Sequence, residues 1–341
     1  MNGIREYLLT HKKQAAAVAC IAAFAGTAYA AMTIFQRPVS RDGRETRMNV
    51  ILKVPYGSVT VSGGCPQDKA ALIQTEVDDP DDQPSMVARY FYNPIGTIGT
   101  LRITLGSDEG MVQRPKELAL GTWANSGFHL ASAGAIETDG GTIRAQNIRE
   151  NLTPAPAPVT DNNISRILLN QTIPLSIYSE FGFGESLLDM TGLSVMNANI
   201  QSSASKAHIV SRSPNPVGME SCTINAGVGE CIVDGICNFN CKTFSFSGGI
   251  GYCELHFTGN LQKDLSANVE VGCGKVVMNI PPTAGRVQVF YEDNLFSSFS
   301  SQGLNKRREG YYTSAGFDQS YAPVLTLRLS SGVGKMVVNY K

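Results

Sequence analysis

The stretch NAGVGECIVDG, residues 225–235, decides how this chain folds. Two glycines, Gly227 and Gly229, flank one apolar residue, and Glu230 follows. The spacing invites comparison with a phosphate-cradling loop. Such a loop joins a strand to a helix N-terminus, whose free N–H groups and dipole hold the anion. Here the apolar residues after the dyad, Cys231 and Val233, continue with period two, so a strand follows. The third glycine of a G-x-G-x-x-G motif is also missing. The glycines therefore turn a corner between two strand segments, through a positive φ or the absence of a Cβ.

The same dyad recurs along the chain. It appears as Gly182 and Gly184 in EFGFGESLLDM, and as Ser203 and Ser205 in SSASKAHIVS. It returns as Gly249 and Gly251 in GGIGYCELHF, as Gly272 and Gly274 in VGCGKVVMNI, and as Gly332 and Gly334 in SGVGKMVVNY. The first five copies repeat at roughly 22 residues, inside the range of solenoid coils. Apolar residues alternate on both sides of each dyad: Cys222, Ile224 and Ala226 before one, Val276 and Met278 after another. The fold class expected is all-β: a right-handed parallel β-helix or β-solenoid-like stack of strand–turn–strand coils, preceded by a strand-rich N-terminal region.

Stacked coils about 4.8 Å apart would set equivalent residues in columns. The residue inside the dyad is expected to form a core column: Phe183, Ala204, Val228, Ile250, Cys273 and Val333. The residue after the dyad is expected on the surface: Glu185, Lys206, Glu230, Tyr252 and Lys275. Cys231 and Cys253 should lie on adjacent coils, pointing inward. A buried free thiol behaves there as a small hydrophobe.

The run LLNQTIPLSIYSEFGFGESLLDMTGLSVMNANI, the following dyad copies and the closing LTLRLSSGVGKMVVNY resemble the bacterial toast-rack proteins. These are related to the C-terminal domain of LiaF-type cell-wall-antibiotic-response proteins and, more distantly, to adhesin β-repeat proteins. The resemblance covers residues 165 to 341 well. It is looser over 47–106, where MNVILKVPYGSVTVSGG and IGTLRITLG look like degenerate coils. It implies a parallel β-helix-like stack at or outside the membrane, with no catalytic residues. Departures are the serines at 203 and 205, the cysteine content and an insertion at 292–322.

The expected organisation begins with residues 1–30 as a signal peptide or N-terminal anchor. Basic Arg5, Lys12 and Lys13 precede a short apolar run, and Ala28 and Ala30 form an A-x-A site. Residues 31–46 read as a linker, 47–165 as an N-terminal strand-rich region, and 166–341 as the repeat domain. The body is expected to be exported to the periplasm or cell surface, either free or anchored in the inner membrane. Seven cysteines follow residue 30, an odd number that cannot pair completely.

The net charge of −1 leaves no electrostatic footprint for nucleic acid. No cofactor is expected. Carboxylates are the first candidates for chemistry, because β-helices host polysaccharide-cleaving enzymes. Glu230 and Asp234 are four residues apart on a strand, roughly 13 Å, beyond the separations of about 5–9.5 Å that glycosidases use. Cys237 and Cys241 lack a second ligand pair for zinc. His208 and His256 fall on different coils and columns. Asp78, Asp79, Asp81 and Asp82 lack the spacing of a calcium loop. The basic and aromatic insertion is the candidate partner-binding loop, through Lys306, Arg307, Arg308, Tyr311 and Tyr312. Its other reading is a cap that folds its aromatics over the end of the stack. The function expected is a non-enzymatic exported cell-envelope scaffold or interaction module, linked to envelope stress by the resemblance. Its partner would be an envelope protein or cell-wall component, or another copy of the chain. The alternatives are an exported carbohydrate-active enzyme and a surface adhesin.

Overall fold

The computed structural model describes residues 33–77, 85–106 and 164–341. The residues expected to form an export segment, 1–30, the acidic stretch at 78–82 and the Pro/Ala-rich stretch lie outside the described residues. Every described strand belongs to one 16-stranded sheet. Its body is seven long strands: β2 (Arg47–Gly63), β7 (Leu175–Asp189), β8 (Val195–Val210), β9 (Met219–Asp234), β10 (Cys241–His256), β11 (Leu265–Ile280) and β16 (Val324–Tyr340). They lie side by side in that order, all parallel. The chain is thus an all-β, solenoid-like stack.

The dyads set the register. Gly184, Ser205, Gly229, Gly251, Gly274 and Gly334 pair in sequence across six strands, and Gly57 of β2 extends the column. In β2 the triplet Pro55-Tyr56-Gly57 stands where the other coils carry the dyad. Each long strand bends there into a first and a second arm, and the burial pattern changes phase. In β7 the inward residues are Leu175, Ile177, Ser179 and Phe181 before the corner, then Ser186 and Leu188 after it. Odd positions give way to even ones because the chain turns outward around the dyad.

The two dyad glycines act for different reasons. The second adopts a positive φ, 129° at Gly229, where a side chain would be strained. The first does not. At Gly182 a Cβ would instead run into the carbonyl oxygen of Pro55 on the neighbouring coil. Strand β8 manages without either glycine. Ser205 has no positive φ, and its hydroxyl lies 2.5 Å from that of Ser202.

The core fills the space between the arms. Phe244 and Phe246 of β10 are buried there, beside Phe257 and Phe239. Phe244 sits 6.3 Å, ring to ring, from both Phe239 and Phe257. The turns that join one coil to the next are closed by buried amides. Asn215 donates to Val195 O and Phe239 O and accepts from Val195 N, while Asn238 donates to Ser211 O. Irregular backbone can be buried here because these side chains satisfy its polar groups.

At each end of the stack the two arms are continued by separate short strands. Beyond β2, the first arm continues with β5 (Ile98–Leu105) and then antiparallel β4 (Met86–Asn93). The second arm continues with β6 (Ile164–Leu169), antiparallel β3 (Lys69–Val77) and β1 (Thr33–Ser40). Beyond β16, the first arm carries β12 (Arg286–Tyr291), β15 (Tyr311–Thr313) and β14 (Asn305–Arg308). The second arm carries β13 (Ser297–Gln302) alone.

Two sequence-based divisions differ from this arrangement. Part of the expected linker, residues 33–40, is strand β1. It reads as linker because an edge strand at the end of a sheet is half solvated and can be polar. The boundary at 165/166 falls inside β6, and β2 joins the main stack directly through β7.

Candidate interaction surface

The corner row reverses the expectation for its side chains. Phe183, Val228, Ile250 and Val333, expected in the core, are 51%, 54%, 57% and 51% exposed, and Cys273 is exposed as well. The apex of each corner points away from the space between the arms. An apolar row with Ala204 in it therefore runs along the outside of the stack, one residue per coil.

The neighbouring column matches its expected order. Glu185, Lys206, Glu230, Tyr252 and Lys275 pair successively, and Lys335 extends the line. Lys206 lies between the two glutamates, with its Nζ 3.7 Å from a Glu230 carboxylate oxygen. The Lys275 ammonium sits 5.5 Å from the centre of the Tyr252 ring.

On the outer face of the second arms, Asp234 brings together two histidines that the sequence reading had kept apart. His208 Nε2 is 2.7 Å from Asp234 Oδ2, and His256 Nε2 is 3.9 Å from Oδ1. His256 also meets Glu254 at 3.0 Å, and the Tyr252 hydroxyl donates to Glu254. That hydrogen bond raises the tyrosine hydroxyl to about 12, and together with His256 it holds Glu254 below the usual carboxylate range. The line continues with Asn279 and Asn339, joined at 2.9 Å. His208 and Asp234 are diagonal neighbours, a relation that appears only once adjacent coils are in register. Asp189 pairs with Arg212. Burial works against its ionisation, yet Thr191 and Arg212 hold its carboxyl below the usual range. Asp189, Glu230 and Asp234 are thus each engaged by a cation or an imidazole on an adjacent coil.

Cys231 and Cys253 are register partners on adjacent coils, and both are buried. Burial pushes the Cys253 thiol up to about 11 and those of Cys237 and Cys241 to about 12, and it raises Cys222 and Cys231 too. These are packed thiols, not nucleophiles poised near neutral pH. Cys237 and Cys241 are both unpaired, and the Cys237 Sγ donates to Phe257 O at 3.1 Å. Among the described residues no three His, Cys, Asp or Glu side chains converge as a metal site.

The insertion is folded against the last coil. Phe299 stacks on Tyr291 at 4.7 Å and meets Tyr312 at 5.0 Å, and Tyr311 stacks on Phe290 at 4.8 Å. Its cations are engaged within the insertion. Lys306 pairs with Glu309 and Arg307 with Asp318, both at 2.8 Å, and Arg308 lies 5.6 Å from the Tyr311 ring centre. The glutamate beside Lys306 raises the lysine above its ordinary value. Arg307 also donates to Thr313 Oγ1 at 2.9 Å. Leu295, Phe296 and Tyr321 remain 95%, 73% and 102% exposed. No helix among the described residues is long and apolar enough to cross a membrane.

No family model matches the chain, and no curated protein does. Two solved structures align with it along most of its length. One is a "putative cell adhesion protein" from Clostridium sporogenes ATCC 15579. It is 14% identical, covers 91% of this chain and 100% of its own, and has a TM-score of 0.38. The other is a "putative adhesin" from Bacteroides fragilis NCTC 9343. It is 9% identical, covers 90% of this chain and 97% of its own, and has a TM-score of 0.32.

Proposed function

We propose that the chain is a non-enzymatic, exported cell-envelope scaffold that engages an envelope or cell-wall component through the outside of its stack. The observation that carries this reading is the corner row. Four large apolar residues, Phe183, Val228, Ile250 and Val333, stand more than half exposed at equivalent positions of their coils. Ordered apolar surface of this kind on a soluble body marks an interaction site more often than scattered exposure does. The strand pairing fixes the row residue against residue, so a partner would meet an edge with its ordering already done. The charged column beside it supplies a polar rim. In this reading Lys306, Arg307, Arg308, Tyr311 and Tyr312 close the end of the stack, and Leu295, Phe296 and Tyr321 are the exposed apolar groups of the insertion. The link to envelope stress that the LiaF resemblance implies belongs to the same proposal.

The test uses the full chain in a bacterial host. It should reach the envelope, become sensitive to external protease once the outer barrier is opened, and sediment with isolated envelope. A Val228→Lys/Ile250→Lys variant should keep its thermal transition and lose sedimentation. Retention of the wild-type chain in the cytoplasm, or equal sedimentation of the folded variant, overturns the proposal.

A further inference from the structure

Among the described residues the sheet has four open edges: β1 and β4 at one end, β13 and β14 at the other. An open edge presents unpaired N–H and C=O groups, and soluble proteins guard such strands with charge or proline. Three of the four are guarded. β14 carries Lys306, Arg307 and Arg308, β1 carries Arg37 and Pro38, and β4 carries Arg89. β13, with the sequence SSFSSQ, carries no guard.

Its backbone direction follows from one hydrogen bond. Gly334 N donates to Phe296 O at 3.1 Å, so the main-chain groups of residue 296 point toward β16. In a strand these groups alternate, so those of Ser297, Phe299 and Ser301 point away from β16, toward the open side. Ser297 N is taken up by Asn294 O at 3.5 Å. The N–H and C=O of Phe299 and Ser301 have no partner strand among the described residues.

The sequence of this edge also reads the same in both directions about Phe299: Ser297-Ser298-Phe299-Ser300-Ser301. We propose that β13 is a self-association edge, on which a second copy of this chain pairs antiparallel about a two-fold axis at Phe299. A two-fold interface must match itself. Here Ser298 would face the partner's Ser300, and Ser297 the partner's Ser301, with no charge brought against a like charge. The same operation on β14 would set its lysine and arginines against one another. Antiparallel pairing about Phe299 makes that residue a hydrogen-bonded pair with its own copy, which uses the outward N–H and C=O. It also sets Phe296 and Leu295, the exposed residues leading into β13, across from the partner's Gln302 and Gly303. One strand pair buries little area, so the association is expected to be weak.

Ser298 and Ser300 have exposed side chains, so lysine there should leave the monomer intact. Sedimentation velocity of the wild-type protein should show a reversible monomer–dimer equilibrium across the micromolar range. Ser298→Lys/Ser300→Lys opposes two pairs of like charges and should weaken it about tenfold, with an unchanged thermal transition. A Ser298→Asp/Ser300→Asp chain should be weakened likewise. An equimolar mixture of the two variants should recover the dimer, because lysine then faces aspartate. A wild-type protein that stays monomeric overturns the proposal. So does a lysine variant that dimerises as well as wild type, or a mixture that fails to recover.

Discussion

The middle and the ends of this sheet are built from the same element in different ways. In the middle each coil is one strand of 15 to 17 residues that serves both arms and pairs with the coil next to it in sequence. At the ends each arm is finished by its own short strands, some from distant parts of the chain. β2 meets both β5 and β6, and β16 meets both β12 and β13. The middle is ordered by repetition and the ends by individual contacts. A change in the middle should therefore be felt by two long coils at once, and a change in an outermost edge strand by one short neighbour.

Core truncation should separate the regions most. Phe244 is fully buried between Phe239 and Phe257. Phe244→Ala is expected to cost about 3–5 kcal/mol in chemical denaturation. Phe299 is half-buried on the last coil and stacked on Tyr291. Phe299→Ala should cost about 1.5 kcal/mol. Equal losses would mean that the end is packed as firmly as the middle.

The glycines give a comparison with a smaller effect. Gly251 has φ 144°, and a Cβ there would overlap Gly229 O of the preceding coil. Gly316, in the insertion, has φ 66° and open space around the same position. Gly251→Ala should cost about 3 kcal/mol and Gly316→Ala about 1 kcal/mol. If Gly251→Ala were the milder change, the close approach of adjacent corners would not be rigid.

Alkaline titration probes the middle through its buried thiols, alongside Cys65 and Tyr90 at one end. The thiols of the middle ionise above the ordinary value of 9.0, up to about 11 at Cys253 and about 12 at Cys237. An acid whose folded value is raised holds its proton more firmly folded than unfolded. Stability from these groups is therefore complete below about pH 8.5 and falls as the pH rises toward the folded values. The melting temperature should drop between about pH 9 and 12. A Cys231→Ala/Cys253→Ala variant should show a shallower fall; an identical slope would remove this pair from the explanation.

The smallest expected effect is on the surface ladder. Lys206→Glu sets three carboxylates in a row with Glu185 and Glu230. The side chains of Lys206 and Glu230 are 58% and 41% exposed, so the loss should stay below about 1 kcal/mol and shrink with salt. A melting temperature unchanged at low ionic strength would show that the register confers no charge coupling.

The middle was legible in the sequence because a repeat states its own register. The dyad positions, the surface column from Glu185 to Lys275 and the facing pair of Cys231 and Cys253 all follow from aligning the copies. The corner row was misread because alternation carries no mark of a phase change. Phe183 and Val228 continue the apolar pattern, and only the bend at the glycines shows that they point outward. The ends were harder. β1 and β14 are polar edge strands that look like loops, and β13 is mostly serine. The meeting of His208 and His256 at Asp234 was missed because it joins adjacent columns on successive coils. The insertion showed its aromatics in sequence, but its cations could not be assigned to Glu309 and Asp318 until the strands were placed.

The order of the last strands bears on how the molecule is made. β16, the last of the described strands in chain order, lies between β11 on one side and β12 and β13 on the other. A chain emerging from the ribosome lays down both flanks before the strand that joins them. Until residues 324–340 are available, β11, β12 and β13 each lack the neighbour they have in the finished sheet. The step that closes this sheet is therefore an insertion between preformed edges, and the sheet is at its most adhesive just before residues 324–340 join it. Nascent molecules would then depend on rapid insertion of β16 or on a chaperone during that interval, and loss of β16 would leave a gap in the sheet where other mutations leave only a weakened contact.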